Sequence, residues 1–72
     1  MNGDGLEDGQ RVGRYLVIRD VDGRRHAIGA GAVAAVSEVD DGSVLVLPGG
    51  RLLQVPWPME KVLAWLDGRG PG

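Results

Sequence analysis

Cysteine, phenylalanine and threonine are absent from the 72 residues, and the chain holds one histidine and two serines. Without cysteine there is no disulfide staple and no thiolate to hold a structural zinc. With His26 as sole imidazole and two serine hydroxyls, a nucleophile, a base and an orienting acid have almost no material, so no catalytic residue is expected and the protein is read as no enzyme. No apolar run approaches the about 20 residues that cross a bilayer, so no membrane insertion is expected. Charge of one sign is lacking as well. The formal net charge is -2, carried by Asp4, Glu7 and Asp8 against Arg11, while residues 14–66 hold six acidic and six basic side chains. A neutral body has no single-sign field to draw it to nucleic acid, which is therefore the disfavoured partner, with a protein preferred.

What is present is glycine, β-branched residues and short turn signals. Chains of about 60 residues bury only about 60% of the surface their unfolded form exposes. Stability then depends on every core side chain or on self-association, and a homo-oligomer is one expectation. The opening "MNGDGLEDGQ" has neither the basic nor the apolar region of a signal peptide, and the expected location is cytoplasmic. Residues 1–13 are too poor in apolar groups to offset their ordering entropy and read as a flexible acidic arm. Residues 14–67 read as a single small β-rich domain, and residues 68–72 as a frayed tail.

In "RYLVIRDVDGRRHAIG" two β-rich runs flank Asp22-Gly23, a pair that suits a two-residue hairpin loop. This register sets Asp20 opposite Arg25, Arg19 opposite His26 and Ile18 opposite Ala27. Farther on, Asp41-Gly42 and Gly49-Gly50 separate three strands, with Val39 facing Val44, Val44 facing Val55 and Val46 facing Leu53. In "PWPMEKVLAWLDG" the residues Met59, Val62, Leu63 and Leu66 fall on one helical stripe, Pro58 suits the first turn, and Gly68 suits the position after the helix end. The expected fold is mainly β with one C-terminal helix, either a five-stranded antiparallel meander or a small SH3-like partial barrel capped by that helix.

The stretch Gly29-Ala30-Gly31-Ala32-Val33-Ala34 matches the dinucleotide fingerprint G-x-G-x-x-G/A, but that site also needs a long helix and an acid about 20 residues on, where this chain reads Gly-Gly-Arg-Leu-Leu-Gln. It reads as a change of direction, and no cofactor is expected. Asp20-Val21-Asp22-Gly23 and Asp40-Asp41-Gly42 lack the glutamate that closes a calcium loop, so no metal is expected either. The candidate contacts are Arg24, Arg25, His26 and Trp57. The two arginines can meet an anion, although in a meander they share one end with Asp20, Asp22, Asp40 and Asp41. His26 is read as a half-exposed strand residue. Trp57, extended between Pro56 and Pro58, either staples the last strand to the helix or faces a partner, and Trp65 is read as core.

The order of elements from Asp22 onward resembles two bacterial families. With Gly23, Val33, Val36, Glu38, Val44 to Leu47, Gly50, Val55 and the helix from Glu60 to Leu66, the segment is similar to the short flagellar FlbD-type (swarming motility) proteins. It departs from them in carrying Gly-Ala-Gly-Ala where they have a polar Asn-x-Asp loop. That resemblance implies a small adaptor or regulatory protein, bacterial or phage-borne, acting through protein–protein interaction. The same segment resembles the β core of LytTR DNA-binding domains, which implies the alternative of a nucleic-acid-binding transcription regulator. Those domains are more basic and richer in aromatic residues than this chain.

Overall fold

The computed structural model describes residues 5–68. Six strands and one helix follow in the order β1 (Arg11–Val12), β2 (Tyr15–Arg19), β3 (Arg25–Gly29), β4 (Ala35–Val39), β5 (Gly42–Leu47), β6 (Arg51–Val55) and α1 (Met59–Leu66). The mainly β fold with a C-terminal helix is present, but neither the five-stranded meander nor the SH3-like partial barrel is. The strands form two three-stranded antiparallel sheets, β1-β2-β3 and β4-β5-β6. The chain divides at the glycine-alanine stretch. There Ala30–Ala32 makes a single 3-10 turn and Val33 leaves it extended, so β3 and β4 are not paired. The long helix that a dinucleotide site requires does not follow these glycines.

Both sheets and the helix share one core: Leu16, Ile18 and Ile28 from the first sheet, Leu45, Leu53 and Val55 from the second, and Val62 and Trp65 from α1. The two sheets are also tied at an edge, where the Val21 N–H donates to the Gln54 carbonyl at 3.0 Å.

Three registers differ from those read in the sequence, each for a local reason. In the first hairpin Ile18 pairs with His26 and Arg19 with Arg25, so the loop is Asp20 to Arg24 rather than two residues. Its cause is the Asp20 side chain, whose Oδ1 accepts from the Asp22 and Arg24 N–H groups, both at 2.9 Å. A side-chain-capped loop displaces the tighter turn. In the second hairpin Asp40-Asp41 is the loop and Gly42 already pairs with Val39. Gly42 lies directly beneath β6; a Cβ there would collide with the Val55 carbonyl. This shift is by two residues, so the side chains keep their faces. In the third hairpin Leu47 pairs with Arg51 around the three residues Pro48, Gly49 and Gly50, both glycines having positive φ. That one-residue slip turns the β5 faces relative to β6. Val36, Leu45 and Leu53 form the inward row, and Val44, Val46 and Leu52 face out.

The helix is also rotated from the expected stripe. Val62 and Trp65 are its buried residues and Leu63 is 47% exposed, because the larger apolar surface of the indole takes the inward position. Pro58 sits one residue earlier than expected, as the N-cap, and Gly68 follows the helix end with positive φ as expected.

The acidic arm is the largest correction to the domain boundaries. Residues 1–4 lie outside the described residues, as do 69–72 of the expected tail, but residues 7–12 fold onto β2. The Gly9 N–H donates to the Val17 carbonyl at 2.8 Å and the Val17 N–H to the Gln10 carbonyl at 2.9 Å. With Gly9 at φ 85 this is a glycine bulge extending β1. A Cβ on Gly9 would enter the Trp65 ring, so the arm packs on the helix through the one residue that has none. Arg11 Nη2 donates to the Leu66 carbonyl at 3.0 Å, satisfying a helix-end acceptor. Composition alone conceals this packing, because the contact is made by backbone and glycine rather than by apolar side chains.

Candidate functional site

The β2–β3 hairpin brings three of the four candidate contact residues together. Arg24 closes its loop, and Arg25 and His26 open β3. They line one groove of about 520 Å³ with Gly23, and Leu6, Val17 and Ala27 complete it. Among the described residues, no carboxylate lines this groove. Val17 and Ala27 are opposite each other in the ladder and so share a face, on which Arg19 and Arg25 are the next opposed pair. Val17 is 3% exposed yet stands apart from the common core, and Leu6 lines the groove beside it.

His26 is half-buried and pairs with Ile18 instead of Arg19. Its Nε2 lies 2.7 Å from Asp20 Oδ2. An ionised carboxylate only accepts, so Nε2–H donates. The Asp20 carboxyl is held below its ordinary value first by this hydrogen bond and then by the Arg24 N–H, with desolvation opposing them. Asp20 thus spends one oxygen on the loop backbone and the other on the imidazole, fixing both the loop and the ring.

Trp57 stands elsewhere. It is half-buried, its ring meets Trp65 edge to face at 5.5 Å, and its carbonyl accepts from the buried Ser43 hydroxyl at 2.7 Å. The Lys61 ammonium lies 5.3 Å from the Trp57 ring centre and 5.7 Å from that of Trp65. These contacts join β5, the link after β6 and α1, which is the work of a staple. Trp65 is core, as read.

Two other surfaces bear on function. The fingerprint-like Gly29, Gly31 and Ala32, with Arg14 and Tyr15, border an open hollow of about 480 Å³. The outer face of the second sheet presents Ser37, Val44, Val46, Leu52 and Gln54, among which Leu52 is 69% exposed and none is charged. Among the described residues there is no group of three His, Cys, Asp or Glu side chains able to hold a metal ion, and no helix is long and apolar enough to cross a membrane.

Sequence reading found the hairpin's cations from the run Arg24-Arg25-His26. It missed the residues that make them a site. Asp20 appeared as a strand partner and as part of a rejected calcium loop, although the aspartate opening Asp-x-Asp-Gly is itself the signal of a side-chain-capped loop. Leu6, the arm's lone leucine, gave no periodic signal at all. Comparison with known proteins finds no matching family model, no matching curated protein and no matching solved structure.

Proposed function

We propose that this protein is a small non-enzymatic adaptor that works by binding another protein, with the β2–β3 groove as its contact surface. The observation that carries the reading is the pairing of an apolar floor (Leu6, Val17 and Ala27) with a rim that includes Arg24, Arg25 and His26 in one groove. Apolar floors supply contact area, and charged rims set orientation and association rate. The His26–Asp20 hydrogen bond holds one wall in place before a partner arrives, which lowers the ordering cost of binding. The equal numbers of acidic and basic side chains over residues 14–66 favour a protein over the continuous phosphate charge of a nucleic acid.

The test is affinity purification with tagged wild-type protein and with the Arg24→Glu/Arg25→Glu variant, read by mass spectrometry, with circular dichroism showing that both are folded. The expected result is a protein retained by the wild type and lost from the variant. A duplex DNA bound with steep salt dependence and released by the same substitutions, with no protein retained, supports the LytTR-like regulator instead.

A further inference from the structure

We infer that Asp22-Gly23 is a covalent modification site, at which the chain converts its own backbone from an aspartyl to an isoaspartyl linkage through a cyclic imide. The chemistry is intramolecular and stands apart from the adaptor reading.

The step needs only water. The Gly23 amide nitrogen attacks Cγ of the Asp22 carboxyl group, forming a C–N bond while a C–O bond breaks, and the amide proton leaves with the hydroxyl as one water. One water then opens the ring. Addition at the side-chain carbonyl restores aspartate, whereas addition at the α-carbonyl leaves the chain joined through Cγ, with the α-carboxylate as the side group. Charge is conserved, and one methylene enters the backbone. Glycine suits the attacking position because it has no Cβ to obstruct the approach, and groups tethered in one chain react at high effective concentration.

Among the described residues Asp-Gly occurs at Asp8, Asp22, Asp41 and Asp67. Three of these pairs are locked by the fold. Asp8 Oδ1 accepts from the Arg19 N–H at 2.7 Å and the Gly9 N–H donates to the Val17 carbonyl at 2.8 Å, so both reacting groups are held along β2. Gly42 pairs with Val39 and lies against β6, where its Cβ position collides with the Val55 carbonyl. The Asp67 and Gly68 N–H groups donate to the Leu63 and Trp65 carbonyls at the end of α1, and Arg11 Nη2 pins the adjoining Leu66 carbonyl. Asp22-Gly23 differs. Both residues are exposed, and nothing lies within 4 Å of the Gly23 Cβ position. The Gly23 N–H donates to the Asp20 carbonyl at 3.0 Å, a bond internal to the loop, so freeing the nitrogen opens the loop without unpairing either sheet. Local openings of this kind cost far less than global unfolding.

Conversion also alters the groove. Asp20 Oδ1 accepts from the Asp22 and Arg24 N–H groups, both at 2.9 Å, and the added methylene falls between these two donors. One oxygen then no longer spans both, and the wall that Gly23 and Arg24 form shifts.

The experiment incubates the full chain for several weeks at mildly acidic pH, folded in buffer and unfolded in guanidinium chloride. Tryptic peptides are separated by chromatography, and isoaspartate is assigned by electron-transfer fragmentation, which distinguishes isomers of equal mass. The expected result is conversion at Asp22 in the folded chain within about threefold of its unfolded rate, with Asp8, Asp41 and Asp67 slowed by folding at least about tenfold. The Asp22→Glu variant, whose carboxyl is one carbon too far to close the same ring, is expected to leave residues 20–24 unconverted. Suppression at Asp22 equal to that at the other three positions, or an isoaspartyl product in residues 20–24 of the variant, overturns the assignment. In the converted fraction the Arg24 amide resonance is expected to move, and an unmoved one contradicts the change in the groove. Every readout uses the chain alone, so failure here is distinct from failure of the adaptor reading.

Discussion

Replacing Gly9 by alanine tests whether the N-terminal segment belongs to the fold. Two effects add at this position. Gly9 has φ 85, a conformation that costs an L-residue about 1–2 kcal/mol. Its new Cβ would also enter the ring of Trp65, which is 3% exposed and cannot swing into solvent without leaving the core. Overpacking of this kind costs about 1–3 kcal/mol. The sum is about 2–5 kcal/mol, and at about 4–8 °C per kcal/mol for a domain of this size the melting temperature should fall by about 8–40 °C. Gly13 supplies the control. Its φ is 58 but nothing lies near its Cβ position, so Gly13→Ala bears the backbone cost without the collision. Thermal unfolding of both variants, followed by circular dichroism and by tryptophan fluorescence, separates the two effects. If Gly9→Ala is no less stable than Gly13→Ala, the segment does not pack on Trp65 and the account of the arm fails.

Three further outcomes follow from the same contacts. Deleting residues 1–10 removes the Gly9–Trp65 contact and the bonds to Val17, and should lower the melting temperature by about 10 °C or more; an unchanged transition would return these residues to the status of a flexible arm. Trp57→Ala removes a half-buried ring from its edge-to-face contact with Trp65 and should cost about 3 kcal/mol, the low end for aromatic-to-alanine changes; a variant as stable as the parent contradicts the staple. Because the folded-state value of Asp20 is depressed, its contribution is present above its unfolded value and lost as pH falls through the lowered one. The urea midpoint gap between wild type and Asp20→Ala should hold down to about pH 4, the unfolded aspartate value, and narrow below it; a gap that stays constant to pH 2.5 removes the loop-capping role.

Much of the fold was legible in the sequence. Gly23, Asp41 and Gly49-Gly50 lie in the loops they signalled, whereas Gly42 opens β5; Gly68 follows the helix end, and Trp65 is core. Pairing was harder to read because register is settled by groups that a turn rule does not weigh. The Asp20 carboxylate lengthens one loop, the backbone approach at Gly42 moves another back by one residue, and Pro48 joins a third. The arm escaped notice for a related reason. Its principal contact is a glycine beneath an indole remote in sequence, and no local pattern reports a missing Cβ. Of the candidate site, the cations were legible as a run of residue types. The apolar floor was not, because Val17 and Ala27 meet only in the observed β2–β3 register and Leu6 comes from the arm that folds onto β2.

The contact surface itself is tested most directly by recording ¹H–¹⁵N correlation spectra of the full chain with and without the captured partner. The account expects the perturbed amides to run from Gly23 to Gly29 and to include Leu6, with Leu52 and Gln54 unchanged. Perturbation confined to the uncharged outer face of the second sheet, around Ser37, Val44 and Leu52, with the β2–β3 hairpin unmoved, would contradict it.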